Sequence, residues 1–182
     1  DARLAAEIAS GAGELLLTVR AIEGDALGGR ELGRRGDHAA DTYILERLAA
    51  ARPGDAVLSE ESADDPSRVD ANRVWIVDPL DGSKEYGMPG HSDWAVHVAL
   101  WEAGKGLTAG AVAQPAIGVV HSTDDAAPAP RPMRRRPRIV IGGSRPPAFV
   151  FGLARDLGAD LIRMGSAGAK AMAVVRGEAD AY

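Results

Sequence analysis

The apolar residues of this chain change period near Arg52, and that change constrains the fold more than any other feature of the sequence. Before it, Leu4, Ile8, Leu15, Val19 and Ile22 recur at spacings of four, seven, four and three, the repeat of one helix face. Gly24, Gly28, Gly29, Gly33 and Gly36 are expected to break regular structure, after which a second helical pattern, with Ile44, Leu45 and Leu48 inward, runs up to Arg-Pro-Gly-Asp. Beyond it come short apolar runs bounded by Gly, Pro or Asp: AVLSEE from Ala56, RVWIVD from Arg73, WAVHVALW from Trp94 and LTAGAVAQP from Leu107. These read as strands. GVVHST is expected to pair antiparallel with the run before it through a turn at QPAIG. Helices followed by a strand meander imply packed α/β layers.

The segment DDAAPAPRPMRRRPR holds four prolines and five arginines and cannot pack a core, so it is read as a solvated connection between lobes. After it the pattern strand, helix, strand, helix (RIVIGG, PPAFVFGLARDLG, LIRMG, SAGAKAMAVVRG) begins a second α/β unit. The expected division is a lobe over 1–124, a linker over 125–137 and the start of a second lobe over 138–182.

A formal net charge of −5 supplies no general attraction to nucleic acid or to an anionic membrane, so the expected partner is a small molecule. With Cys 0, disulfides, thiolate metal sites and a cysteine nucleophile are excluded, and a reducing cytoplasm fits. No apolar run approaches the roughly 18 residues of a membrane span. The four histidines show no metal-ligand spacing and are read as surface or packed residues; Trp75, Trp94 and Trp101 are read as core.

Chemistry concentrates in VWIVDPLDGSKEY. A continuing strand would throw Asp78 and Asp81 to opposite faces, so the chain is expected to turn at Pro79 and bring both carboxylates to one point past the strand end. A helix beginning at Gly82 and Ser83 would aim its free N–H groups at the same point. Upstream, LSEES ends another apolar strand with Glu60 and Glu61. If the strands are neighbours, Glu60, Asp78 and Asp81 crowd together, which calls for a cation; hard carboxylate oxygens favour Mg²⁺ with phosphate completing its shell. An acidic calcium loop and an aspartyl-phosphate motif both fail on spacing.

DPLDGSKEY resembles the D-P-[IL]-D-G-[TS] signature of the inositol monophosphatase superfamily, Mg²⁺-dependent and lithium-sensitive phosphatases, and LSEES, WAVHVALW and GSAGAKAMAVVRGEADAY extend the likeness. Among the branches it is most similar to the bacterial 3'(2'),5'-bisphosphate nucleotidases of the CysQ type, which remove the 3'-phosphate of adenosine 3',5'-bisphosphate in sulfate assimilation. The implied fold is an α/β layered sandwich of the inositol monophosphatase and fructose bisphosphatase type, with alternating helix and sheet layers. The resemblance implies two or three Mg²⁺ ions held by Glu60, Asp78, the Leu80 carbonyl and Asp81, with Glu61 holding a metal-bound water. It implies a phosphate on the Gly82 and Ser83 N–H groups, and Ser83 Oγ paired with Asp37 to orient the attacking water. Gly165, Ser166 and Lys170 are implied to face the nucleotide, and Ser144 with Arg145 to hold its second phosphate. Ser83 replaces the commoner Thr, and Tyr86 stands where many members have Phe. The family's further metal-ligating Asp lies beyond GEADAY, so the second lobe is expected to be incomplete here; were Tyr182 the true end, a non-catalytic nucleotide-binding module would be the expectation. Inositol or fructose phosphates are the alternative substrates, and monomer and homodimer are both left open.

Overall fold

The structure is a computed structural model that describes every residue except Asp64, Pro130, Met133 and Arg145. Helix α1 (Ala2–Glu23) buries Ala5, Ile8, Ala9, Ala12, Leu16 and Val19. This face is narrower and more alanine-rich than the large apolar residues suggest, and Ile22 lies off it, 74% exposed. Small side chains let α1 lie close on the sheet, and Leu16 rather than Leu15 reaches the centre of the core.

Helix α2 spans Gly29–Ala51, so Gly29, Gly33 and Gly36 lie inside a helix instead of breaking one. They face the short helix α3 (Ser83–Tyr86). A Cβ at Gly33 would sit 2.7 Å from the Ser83 carbonyl oxygen, and one at Gly36 would sit 2.7 Å from the Tyr86 ring. The contact with α3 outweighs the roughly 1 kcal/mol that each internal glycine costs the helix. Gly33→Val should therefore lower the melting temperature by several degrees, from an overpacking cost of about 1–3 kcal/mol. Gly28→Ala, where nothing lies within 4 Å of the added carbon, should leave it nearly unchanged; equal melting of the two variants in a thermal scan would contradict this packing.

Strands β1 (Ala56–Ser59), β2 (Arg73–Asp81), β3 (Ala95–Glu102), β4 (Gly106–Gln114) and β5 (Val119–Ser122) form one sheet in sequential order. β1 runs parallel to β2, and the rest is an antiparallel meander. A 3₁₀ turn at Pro115–Ile117 and Gly118 joins β4 to β5. Val96, Val98 and Leu100 pack with α1 and α2 in the main core, together with Trp75 and Trp94. The alternate residues of β3 face the other way, toward α5 (Ala167–Val175).

The remaining layers follow the same period-two logic. β6 (Arg138–Gly142) and β7 (Asp160–Met164) form a parallel pair; Ile139 and Ile141 pack on α4 (Phe149–Leu157), and Val140 packs on α5. Helices and sheets thus alternate through the molecule. In the exposed Arg-rich connection, Arg134 meets Asp180 at 3.1 Å and Arg136 meets Asp160 at 2.7 Å. Among the described residues no helix is long and apolar enough to cross a membrane.

Candidate functional site

β1 lies beside β2 with Ser59 opposite Val77, so the chain leaving β1 delivers Glu60 and Glu61 next to Asp78. β2 does not turn at Pro79. It stays paired with β3 through Asp81, but from Asp78 opposite His97 to Asp81 opposite Ala95 it advances three residues against two. This β-bulge resets the parity of the strand, and both aspartates emerge on one face without a chain reversal. Gly82 then takes φ 89°, a left-handed conformation suited to glycine, and starts α3 at Ser83. Tyr86 is buried beneath it, its hydroxyl donating to the Leu16 carbonyl at 2.8 Å, which gives the extra oxygen a partner.

Ligand atoms of Asp78, Asp81 and His97 lie within 4.8 Å of one another. Sequence reasoning left His97 among packed or surface histidines; its cross-strand register to Asp78 is the signal that places it in the site. Asp37, from α2, joins the group. Burial, then the charges of Glu61 and Asp78, push its carboxyl up to about 8. Burial and then Asp81 push Asp78 up to about 6, against the opposing pull of His97 and the Leu80 N–H at 3.2 Å.

Asp81 behaves oppositely. Burial alone would raise it, but His97 Nε2 at 2.9 Å, the Gly168 N–H at 2.6 Å and the Ser166 hydroxyl at 2.7 Å bring it down to about 2. The Ala167 N–H adds a fourth contact at 3.2 Å, so the carboxylate sits on the positive end of α5. Two aspartates three residues apart therefore differ in kind: Asp81 is held ionised by the protein, whereas Asp78 and Asp37 are ionised only against burial and, after it, repulsion. A divalent cation among Asp78, Asp81 and His97 would relieve that repulsion, so the donor set can hold a metal ion.

The residues expected to face substrate are more dispersed. Ser166 caps α5, accepting from the Ala169 N–H at 3.0 Å, and donates to Asp81. The Gly165 N–H donates to Asp93 at 2.6 Å. Lys170 is 7% exposed and turns back to the Gly165 carbonyl at 3.0 Å, under the Tyr182 ring. Ser144 is exposed and accepts from Lys84 Nζ, on α3, at 3.0 Å. Arg145 lies outside the described residues. Leu80 is buried at 3%, inside the bulge between the two aspartates.

The model of the inositol monophosphatase family matches residues 2–129. The 3'-phosphoadenosine 5'-phosphate phosphatase of Mycobacterium leprae is 46% identical over 193 aligned residues, which take in 100% of this chain and 71% of that protein. Its namesake in Mycobacterium tuberculosis is 49% identical over 180 residues, 94% of this chain and 66% of the relative, so this chain spans about two thirds of their length. Among solved structures, inositol monophosphatase II of Staphylococcus aureus superposes with a TM-score of 0.77 at 20% identity, over 97% of this chain and 71% of that one. CysQ of Bacteroides thetaiotaomicron does so at 0.74 and 23% identity, over 98% and 77%. The alternation of helix and sheet layers is thus that of the family fold. The matched residues take in both strands that carry the acids, and the chain belongs to the inositol monophosphatase family, in its CysQ-like branch.

Proposed function

We propose that this chain carries the metal- and phosphate-binding part of a Mg²⁺-dependent phosphomonoesterase that hydrolyses the 3'-phosphate of adenosine 3',5'-bisphosphate, and of its 5'-phosphosulfate analogue, in the cytoplasm. The observation that supports it most is the grouping of Asp78, Asp81 and His97, whose ligand atoms lie within 4.8 Å of one another, with Asp37 and the Glu60–Glu61 pair beside it; burial, and after it the neighbouring carboxylates, raises Asp37 to about 8 and Asp78 to about 6. Such a cluster suits a cation and the anion it attracts. The names of relatives that are 46% and 49% identical support the nucleotide as substrate.

In this reading the lobe over 1–124 does the chemistry, and 138–182, joined through 125–137, contributes the substrate side. Glu60, Asp78, the Leu80 carbonyl and Asp81 would hold two or three Mg²⁺ ions. When bound, these ions supply positive charge to the phosphoryl oxygens and ease deprotonation of water. Glu61 would hold a metal-bound water, and Ser83 Oγ, paired with Asp37, would orient the attacking water. The Gly82 and Ser83 N–H groups receive the phosphate, while Ser144, Arg145, Gly165, Ser166 and Lys170 border the nucleotide. Lys84, bonded to Ser144, adds positive charge at the same border.

The test is turnover of adenosine 3',5'-bisphosphate, inositol 1-phosphate and fructose 1,6-bisphosphate side by side with Mg²⁺. The expected order has the nucleotide first by at least about tenfold in kcat/KM, roughly 1.4 kcal/mol of selective stabilisation. A sugar phosphate in first place defeats the assignment.

A further inference from the structure

We propose that Asp41 is a positioning residue for this site, strapping down the segment that presents Glu60 and Glu61; the proposal deepens, and rests on, the metal-dependent reading above. Asp41 lies on α2 one helical turn beyond Asp37 and is 6% exposed. Its two oxygens are divided between two serines. Oδ1 accepts from the Ser59 hydroxyl at 2.5 Å, and Oδ2 accepts from the Ser62 hydroxyl at 2.7 Å. Those serines flank Glu60 and Glu61 in the chain. Ser59 Oγ also accepts the Glu61 N–H at 3.3 Å, which closes the network onto the glutamates themselves.

The reason for such a strap is electrostatic. β1 ends at Ser59, so Glu60 and Glu61 leave the ladder and are exposed. Glu61 lies against Asp37, and Glu60 lies near both Asp37 and Asp78, all of like charge. Repulsion alone would swing the segment outward, and two glutamates on a mobile loop would bind a cation weakly, because ordering them would oppose binding. Asp41 holds the segment from beneath through neutral hydroxyls and keeps its own charge one turn away from the site. Its partners here are not cations, so its burial is tolerable only while both hydroxyls donate to it.

The experiment titrates the chain with Mn²⁺ by electron paramagnetic resonance and measures the thermal melt and the amide exchange of residues 59–62 alongside. Asp41→Ala is expected to weaken Mn²⁺ binding by about 10–100-fold and to speed exchange over that segment. Asp41→Asn, which retains one acceptor and gains a donor that a serine oxygen can accept, is expected to recover binding to within about threefold of wild type. Should Asp41→Ala fail to fold, Ser62→Ala and Ser59→Ala take its place, each removing one arm of the strap, with an expected loss of at least about threefold. A lower melting temperature with Mn²⁺ affinity unchanged overturns the proposal, since Asp41 would then serve only the fold. A wild-type chain that takes up no Mn²⁺ refutes the metal reading instead; exchange over 59–62 then decides the strap alone, faster exchange in the variants supporting it and unchanged exchange overturning it.

Discussion

Replacing Asp78 by Asn should lower phosphate release by more than about a thousandfold, well beyond the 10–100-fold typical of losing an outer partner of a metal site, and leave the chain folded. Asp78 is the centre of the cluster: it faces His97 across the strand pair, and Asp81, Glu60 and Asp37 press on its charge. Asn keeps the oxygen that accepts the Leu80 N–H at 3.2 Å, so the bulge survives, and only the charge is removed. Without a cation that charge is a liability, because burial and Asp81 already drive the carboxyl up to about 6. The variant should therefore melt at or above the wild-type temperature in chelator and gain less on adding Mg²⁺. Turnover of adenosine 3',5'-bisphosphate and paired melts with and without metal check both halves. Near-normal turnover removes Asp78 from the reaction, and a collapsed fold would show that its charge is structural.

The convergence of Asp78 and Asp81 was legible in the sequence because it rests on local facts: an odd spacing, a proline and a glycine at the end of an apolar strand. The device that achieves it was not. Period-two reasoning recognises only that a regular strand fails, and a turn and a bulge both repair the parity; the antiparallel partner β3, which keeps Asp81 paired with Ala95, decides between them. His97 escaped for a related reason. Its place opposite Asp78 is fixed by the register of β2 on β3, which depends on the whole loop from Gly82 to Trp94 rather than on any spacing between the two residues. Gly33 and Gly36 were misread because helix propensity registers their entropic cost and not the approach of Ser83 and Tyr86 that offsets it. Asp41 carries no signal at all in one dimension: its partners, Ser59 and Ser62, are brought to it only when β1 docks beside α2.

The second large effect is on stability, and its sign distinguishes this cluster from an ordinary acidic surface. Asp37 and Asp78 have folded values of about 8 and about 6 against an ordinary 3.8, so the folded chain retains protons that the unfolded chain releases. Stability then falls as pH rises, beginning above 3.8 and continuing until Asp37 is ionised near 8. Asp81, held down to about 2, contributes the other way, but its contribution is complete above 3.8 and is lost only as pH falls toward 2, so it adds no slope in the neutral range. The metal-free chain should thus melt lower at about pH 8 than at about pH 5, and Mg²⁺, which competes with those protons, should raise the melting temperature more at the higher pH. At a hundredfold excess over its dissociation constant a ligand adds about 2.7 kcal/mol, which for a chain of this size is roughly 5–10 °C. Calorimetric scans in chelator and in Mg²⁺ at both pH values measure all four corners of this cycle. Asp37→Asn should flatten the upper part of the metal-free slope, because it removes the group with the highest folded value. A metal-free chain that gains stability from about pH 5 to pH 8, with the same Mg²⁺ increment at each end, would mean that these carboxyls are solvated separately and share no charge to neutralise.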